Sequence, residues 1–135
     1  MGMYTELKIN VVLKENTPPC VIEFLNNIIN RQHLDGENVL TTSRNLFPHF
    51  NHEFFECDRW ELLLISTKGG YTEGRYFTKL EGKYVLKLHT EFKNYDNEID
   101  KFIHWMSSFV EYKRRPHRVG YRNFEDTINE ELYIV

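Results

Sequence analysis

The stretch PHFNHEFFECD, residues 48–58, gathers His49, His52, Glu53, Cys57 and Asp58, the densest set of reactive side chains in the sequence. Imidazole, thiolate and carboxylate are the donors zinc takes, three or four at a time on a tetrahedron. His-x-x-His could supply two of them. Neither paired cysteines nor a His-Glu-x-x-His motif accompanies the pair, so the sequence predicts a polar loop anchored by its phenylalanines and no metal. Cys20 follows Thr17-Pro18-Pro19 in the expected first turn of a helix, where a thiolate would be stabilised. A cysteine nucleophile also needs a histidine and an oxyanion site. Spacing identifies neither, and a small residue filling a helix-end gap is the simpler role.

The other candidates for catalysis are weaker. Ser43, Ser66, Ser107 and Ser108 lack a Gly-x-Ser-x-Gly context. The glycines of STKGGYTEG, at 69, 70 and 74, have neither the spacing nor the Lys-Ser/Thr ending of a phosphate loop. Glu98 and Asp100 fit the electrostatics of a helix start better than an acid–base pair. No enzyme signature and no cofactor site emerge.

A basic run remains. Lys113, Arg114, Arg115, Arg118 and Arg122 precede the next acid, with Tyr112 and Tyr121 flanking them, and aromatics among arginines can stack on bases. Lys113 to Arg115 also follow a helix end, where cations complement the dipole. Residues 123–135 then hold Glu125, Asp126, Glu130 and Glu131 and no base. If HRVGYRNF and ELYIV pair as a hairpin, the opposite charges meet across it.

The elements that must position these residues follow from periodicity. In YTELKINVVLK, Leu7, Ile9, Val11 and Leu13 face one side and Glu6, Lys8 and Asn10 the other, as in a half-buried strand. A helix should follow, capped by Thr17 with Pro18 first, carrying Val21, Ile22, Leu25, Ile28 and Ile29 and ending near Gln32. Residues 33–58 read as a long ordered loop with room for a helical turn, pinned by Phe47, Phe50, Phe54 and Phe55. RWELLLISTK reads as a central strand, apolar on both faces. A hairpin turning at Glu81-Gly82 follows, with Leu86, Leu88 and Phe92 opposite Lys87, His89 and Glu91. In NYDNEIDKFIHWMSSFVEY, Asn94 or Asp96 caps a helix with the stripe Ile99, Phe102, Ile103, Met106, Phe109 and Val110. Trp105 flanks that stripe and His104 faces away. The expected order is β-α-loop-β-β-β-α-β-β. Two single-striped helices need one shared surface, which a mostly antiparallel sheet covered on one face provides. The fold class is α+β, in one domain over residues 1–135.

Composition sets outer bounds. The chain of 135 residues has a net charge of −3 and a pI near 6.1, unlike a protein basic throughout. Aromatics reach 15%, enough for a packed core and a binding face. The longest apolar run, Leu62–Ile65, is far short of a membrane span. The alternating, charged start MGMYTELKIN predicts a strand in place of a signal peptide or anchor. Two distant cysteines suit reduced thiols and a cytoplasmic setting.

Four patches, YTELKINVVLKENTP, FFECDRWELLL, FKNYDNEIDKFIHWM and GYRNFED, resemble a group of small bacterial and phage-associated proteins with no assigned activity. The resemblance spans most of the chain and implies a compact domain in a bacterial or phage setting. It transfers no catalytic residues.

The expected function is therefore protein binding, with a host-directed, defence-modulating or immunity-type inhibitor role as its natural form. Phe47, His49, Phe50, His52, Tyr71 and Trp105 are its candidate contacts. The second reading is a nucleic-acid or nucleotide binder using Arg114, Arg115, Arg118 and Tyr121. The third is an enzyme centred on Cys20 or on His49 and His52. An edge strand, above all the C-terminal one, could also pair two copies into a homodimer.

Overall fold

The computed structural model describes residues 4–30, 48–66, 75–125 and 128–135. Alternation in the first strand, β1 (Thr5–Val12), buries Leu7, Ile9 and Val11 and leaves Lys8 and Asn10 exposed, as the sequence predicts. The hairpin strands β2 (Arg75–Leu80) and β3 (Lys83–Phe92) turn at Glu81-Gly82, both with positive φ, as a two-residue hairpin loop demands. Strands β4 (His117–Phe124) and β5 (Glu130–Ile134) form the expected second hairpin. The described residues build a five-stranded antiparallel sheet in the order β2–β3–β1–β4–β5. Its first four strands have the split βαβ arrangement, with β5 added beside β4.

One face of this sheet is covered. Ile9 pairs with Leu88 and Val11 with Leu86, all buried, while Lys8 lies opposite His89 and Tyr121 on the open side. The cover consists of α1 (Pro19–Leu25), continued by a π-helical turn at Asn26–Asn30, and of α2 (Glu61–Ile65) and α3 (Glu98–Met106). Thr17 does not cap α1; its hydroxyl donates to the Lys14 carbonyl, and Pro18 holds the cap position. For α3 the expected Asn94 does serve, accepting from the Ile99 N–H at 3.1 Å, although Asn97 occupies the left-handed cap position itself.

Within RWELLLISTK the described residues, 59–66, contain no strand. Residues Glu61–Ile65 form α2, and Trp60, Leu63 and Leu64 are buried beneath it. A short apolar run has no periodicity to separate a buried strand from a buried helix. Leucine and glutamate favour the helix, and Glu61 in the first turn suits the dipole. The fold class stands as α+β, with one strand fewer and one helix more among the described residues than the periodicity suggests.

Short helices leave gaps, and aromatic rings fill them. Trp105 lies within 6.5 Å, ring centre to ring centre, of Phe24, Phe50, Phe54, Phe55, Phe102 and Phe109. Its indole N–H donates to the His49 carbonyl at 2.8 Å. At the β1–β4 seam a Cβ on Gly120 would sit 1.8 Å from the Lys8 carbonyl oxygen, so only glycine permits that approach.

Truncating Trp105 to Ala should cost about 3–5 kcal/mol in urea denaturation, from lost packing and an orphaned carbonyl. Gly120→Ala should cost at least about 2 kcal/mol through the backbone clash. Exposed Ile128→Ala should stay within about 0.5 kcal/mol of the parent.

Candidate interaction surface

The segment after Pro48 comprises two 3-10 turns, Pro48–Phe50 and Glu53–Glu56, held to the helices by their apolar side chains. Residues 48–58 are the described part of the ordered loop with helical turns that the phenylalanine spacing predicts; Phe54, Phe55 and Cys57 turn inward, while Glu53, Glu56 and Asp58 stay exposed. Phe50 and Trp105, candidate contacts by sequence, are 0% and 4% exposed and belong to the core. Trp105 was expected on the flank of the α3 stripe, but neighbouring aromatics from another segment cover it, which periodicity within one helix does not reveal. His49 is exposed and His52 half-buried. Phe47 and Tyr71 lie outside the described residues.

His52 and His104 form a hydrogen-bonded pair, Nε2 to Nδ1 at 2.8 Å. The Phe54 N–H donates to His52 Nδ1 at 3.0 Å, so that nitrogen carries no proton and Nε2–H must be the donor to His104. The pair caps the second 3-10 turn against α3. Burial holds the His52 imidazole below its usual value, the neighbouring His104 adds to this, and Glu53 and Glu56 oppose it. Among the described residues no three His, Cys, Asp or Glu side chains converge as a metal site.

Cys20 is buried, and desolvation pushes its thiol up, the reverse of what a nucleophile needs. Cys57 lies 3.8 Å from Lys101 Nζ, yet burial still raises its thiol. Neither cysteine has the electropositive, accessible setting of a reactive one.

The basic run disperses. Arg118 pairs with Glu131, and Arg122 binds Glu130 with two bonds of 3.0 Å, the cross-hairpin neutralisation that the sign change implies. Arg115 folds back onto the Tyr112 ring and hydroxyl. Tyr121 lies opposite Lys8 and Glu131 on the open sheet face. Lys113 and Arg114 are exposed and unpaired among the described residues.

Arg122 does more than cancel charge. It also reaches Asp100 at 3.2 Å, so one guanidinium ties α3 to β4 and β5. Its bonds lower the Glu130 carboxyl below its usual range and raise the guanidinium itself. On one side of this node Thr5, Asn94, Tyr95, Asn97, Phe124 and Ile128 line a cleft of about 350 Å³. On the other, α3 and β5 enclose a groove of about 440 Å³ beside Tyr133 and Val135. Arg122 and Glu130 border both, making one continuous surface. Of the seven exposed large apolar side chains among the described residues, Tyr95, Phe124, Ile128, Tyr133 and Val135 lie on it. Tyr4 adjoins, since Lys93 Nζ sits 5.6 Å from its ring and 5.9 Å from that of Tyr95.

Sequence reasoning missed these five residues. Ile128 carried the available signal, an isolated isoleucine in the polar segment EDTINE. A fold of class α+β with one exposed apolar surface and no assembled catalytic cluster among its described residues is what the geometry defines. No protein family matches the chain, and no curated protein or solved structure is significantly similar to it.

The His52 pair generates a pH dependence. Its unfolded imidazole titrates near 6.5 and the folded one lower, so the unfolded chain binds more protons between those values and stability rises with pH there. The contribution is complete above the unfolded value and is lost as pH falls toward the folded one. The urea midpoint should therefore drop between pH 7.5 and 5. His52→Asn, which can still accept the Phe54 N–H, should flatten that slope. An unchanged slope in the variant would assign the dependence to other groups.

Proposed function

We propose that this protein is a small, non-catalytic binding domain that acts by occupying a surface on another protein. The observation carrying this reading is the clustering of five exposed apolar side chains on the continuous surface between α3 and the β4–β5 hairpin. Large apolar side chains scattered singly are ordinary, whereas a contiguous set rimmed by polar groups marks an interaction site. Aromatic anchors with a polar rim are the usual composition of such interfaces. In the phage or bacterial setting that the sequence resemblance implies, the contact would be host-directed, defence-modulating or that of an immunity-type inhibitor. A cytoplasmic location fits the two unpaired, buried cysteines.

A nucleic-acid reading has less support. Arg118 and Arg122 are committed to glutamates and Arg115 to Tyr112, in a chain whose net charge is −3. Lys113 and Arg114 alone would be a small electrostatic footprint.

Tyr95→Asp and Ile128→Asp should each abolish capture of the partner from the native host while leaving the melting temperature within about 2–3 °C, as exposed sites do. Reversing Arg114 and Arg115 to Glu should leave capture intact. Salt-sensitive binding of DNA or RNA that the arginine reversal abolishes, with the Tyr95 and Ile128 variants unaffected, would overturn the proposal.

A further inference from the structure

The α3–β5 side of this surface has the construction of a strand-addition site. Among the described residues β5 is an edge strand, bonded to β4 on one side. Alternate N–H and C=O groups of Glu130–Ile134 therefore point away from the sheet. Beside that edge runs the groove of about 440 Å³, with Leu132 and Ile134 on the strand side and Ile103, His104 and Ser107 on the helix side. An edge strand, a helix alongside and a groove between them is how extended peptides are taken up as an extra strand. Main-chain hydrogen bonds supply the affinity, and alternate side chains enter the groove. Arg122, bonded to both Asp100 and Glu130, ties the helix to the strand at one end of the groove.

Charge selects the occupant. Asp100 and Glu130 line the groove against the single guanidinium of Arg122, which binds both, while Glu131 beside them is paired with Arg118, leaving an excess of negative charge. That excess favours lysine or arginine on the incoming strand and repels acidic segments. A second copy's β5 is a poor fit, because it brings Glu130 and Glu131 of both copies into one short ladder.

We infer that the β5 edge accepts an extended segment of the partner protein, alternating basic and apolar residues, as a sixth strand lying along the α3 groove. This rests on the protein-binding function proposed above and specifies its mode and partner chemistry.

The test uses the full chain, labelled with nitrogen-15, and a short synthetic peptide of alternating lysine and valine. Binding should shift the backbone amide resonances of residues 130–134 and 100–107 and slow amide exchange along β5. The same peptide N-methylated throughout, which has no N–H to donate, should bind at least about tenfold more weakly, as should a glutamate–valine version. Equal binding of the N-methylated peptide at the same residues would overturn strand addition while leaving the protein-contact function standing. Failure of the lysine–valine peptide to bind, or shifts confined to other elements, would also overturn it. Dimerisation of the free chain with β5 amides protected would assign the edge to a second copy and overturn the choice of occupant. The function itself stands or falls separately, on the Tyr95 and Ile128 substitutions.

Discussion

A sheet with one apolar face needs a cover, and here the regular helices are too short to provide it. α1, α2 and α3 run seven, five and nine residues, about 8–14 Å each at 1.5 Å per residue. The missing area is supplied by the irregular segment from Pro48 onward, which docks through Phe50, Phe54 and Phe55 around the Trp105 indole. Trp105 can hold a non-helical backbone there because its N–H satisfies the His49 carbonyl, which would otherwise be costly to bury. The His52–His104 bond repeats the connection at the rim of the same contact.

That cover also decides which side chains of the segment stay outside: His49, Glu53, Glu56 and Asp58 are exposed. Two histidines, one cysteine and three carboxylates crowd residues 49–58, yet the phenylalanines interleaved with them determine which way the segment faces. Cys57 ends up buried near the Lys101 ammonium. The opposite end of the molecule is organised by charge. There the partly buried Arg122 joins α3, β4 and β5, so the surface between helix and hairpin is defined by a three-way ion pair. One face of α3 thus serves the aromatic core while its first turn braces the exposed surface.

The five strands, the turn at Glu81-Gly82, the Arg–Glu pairing across β4 and β5, and the burial of Phe54 and Phe55 were legible because each depends on local alternation, turn chemistry or charge sign. Phe50 and Trp105 were misjudged as contact residues and α2 misassigned for one reason: all are decided by partners distant in sequence. The exposed cluster was invisible on similar grounds. Tyr95, Phe124, Ile128 and Tyr133 come from three different parts of the chain, and a tyrosine that will be exposed looks, in sequence, like one that will be buried.

The sequence alone determined the α+β class, the antiparallel hairpins, the one-sided sheet and the self-neutralising C-terminal charges, since period-2 alternation and like-against-unlike pairing are properties of neighbouring residues. Only the tertiary structure decided that LLLI coils instead of extending, that the histidine-rich segment packs against α3, and that α3 and β5 leave a groove between them. Those outcomes depend on which apolar surfaces remain uncovered once the sheet has formed, a quantity that no single stretch of the chain contains.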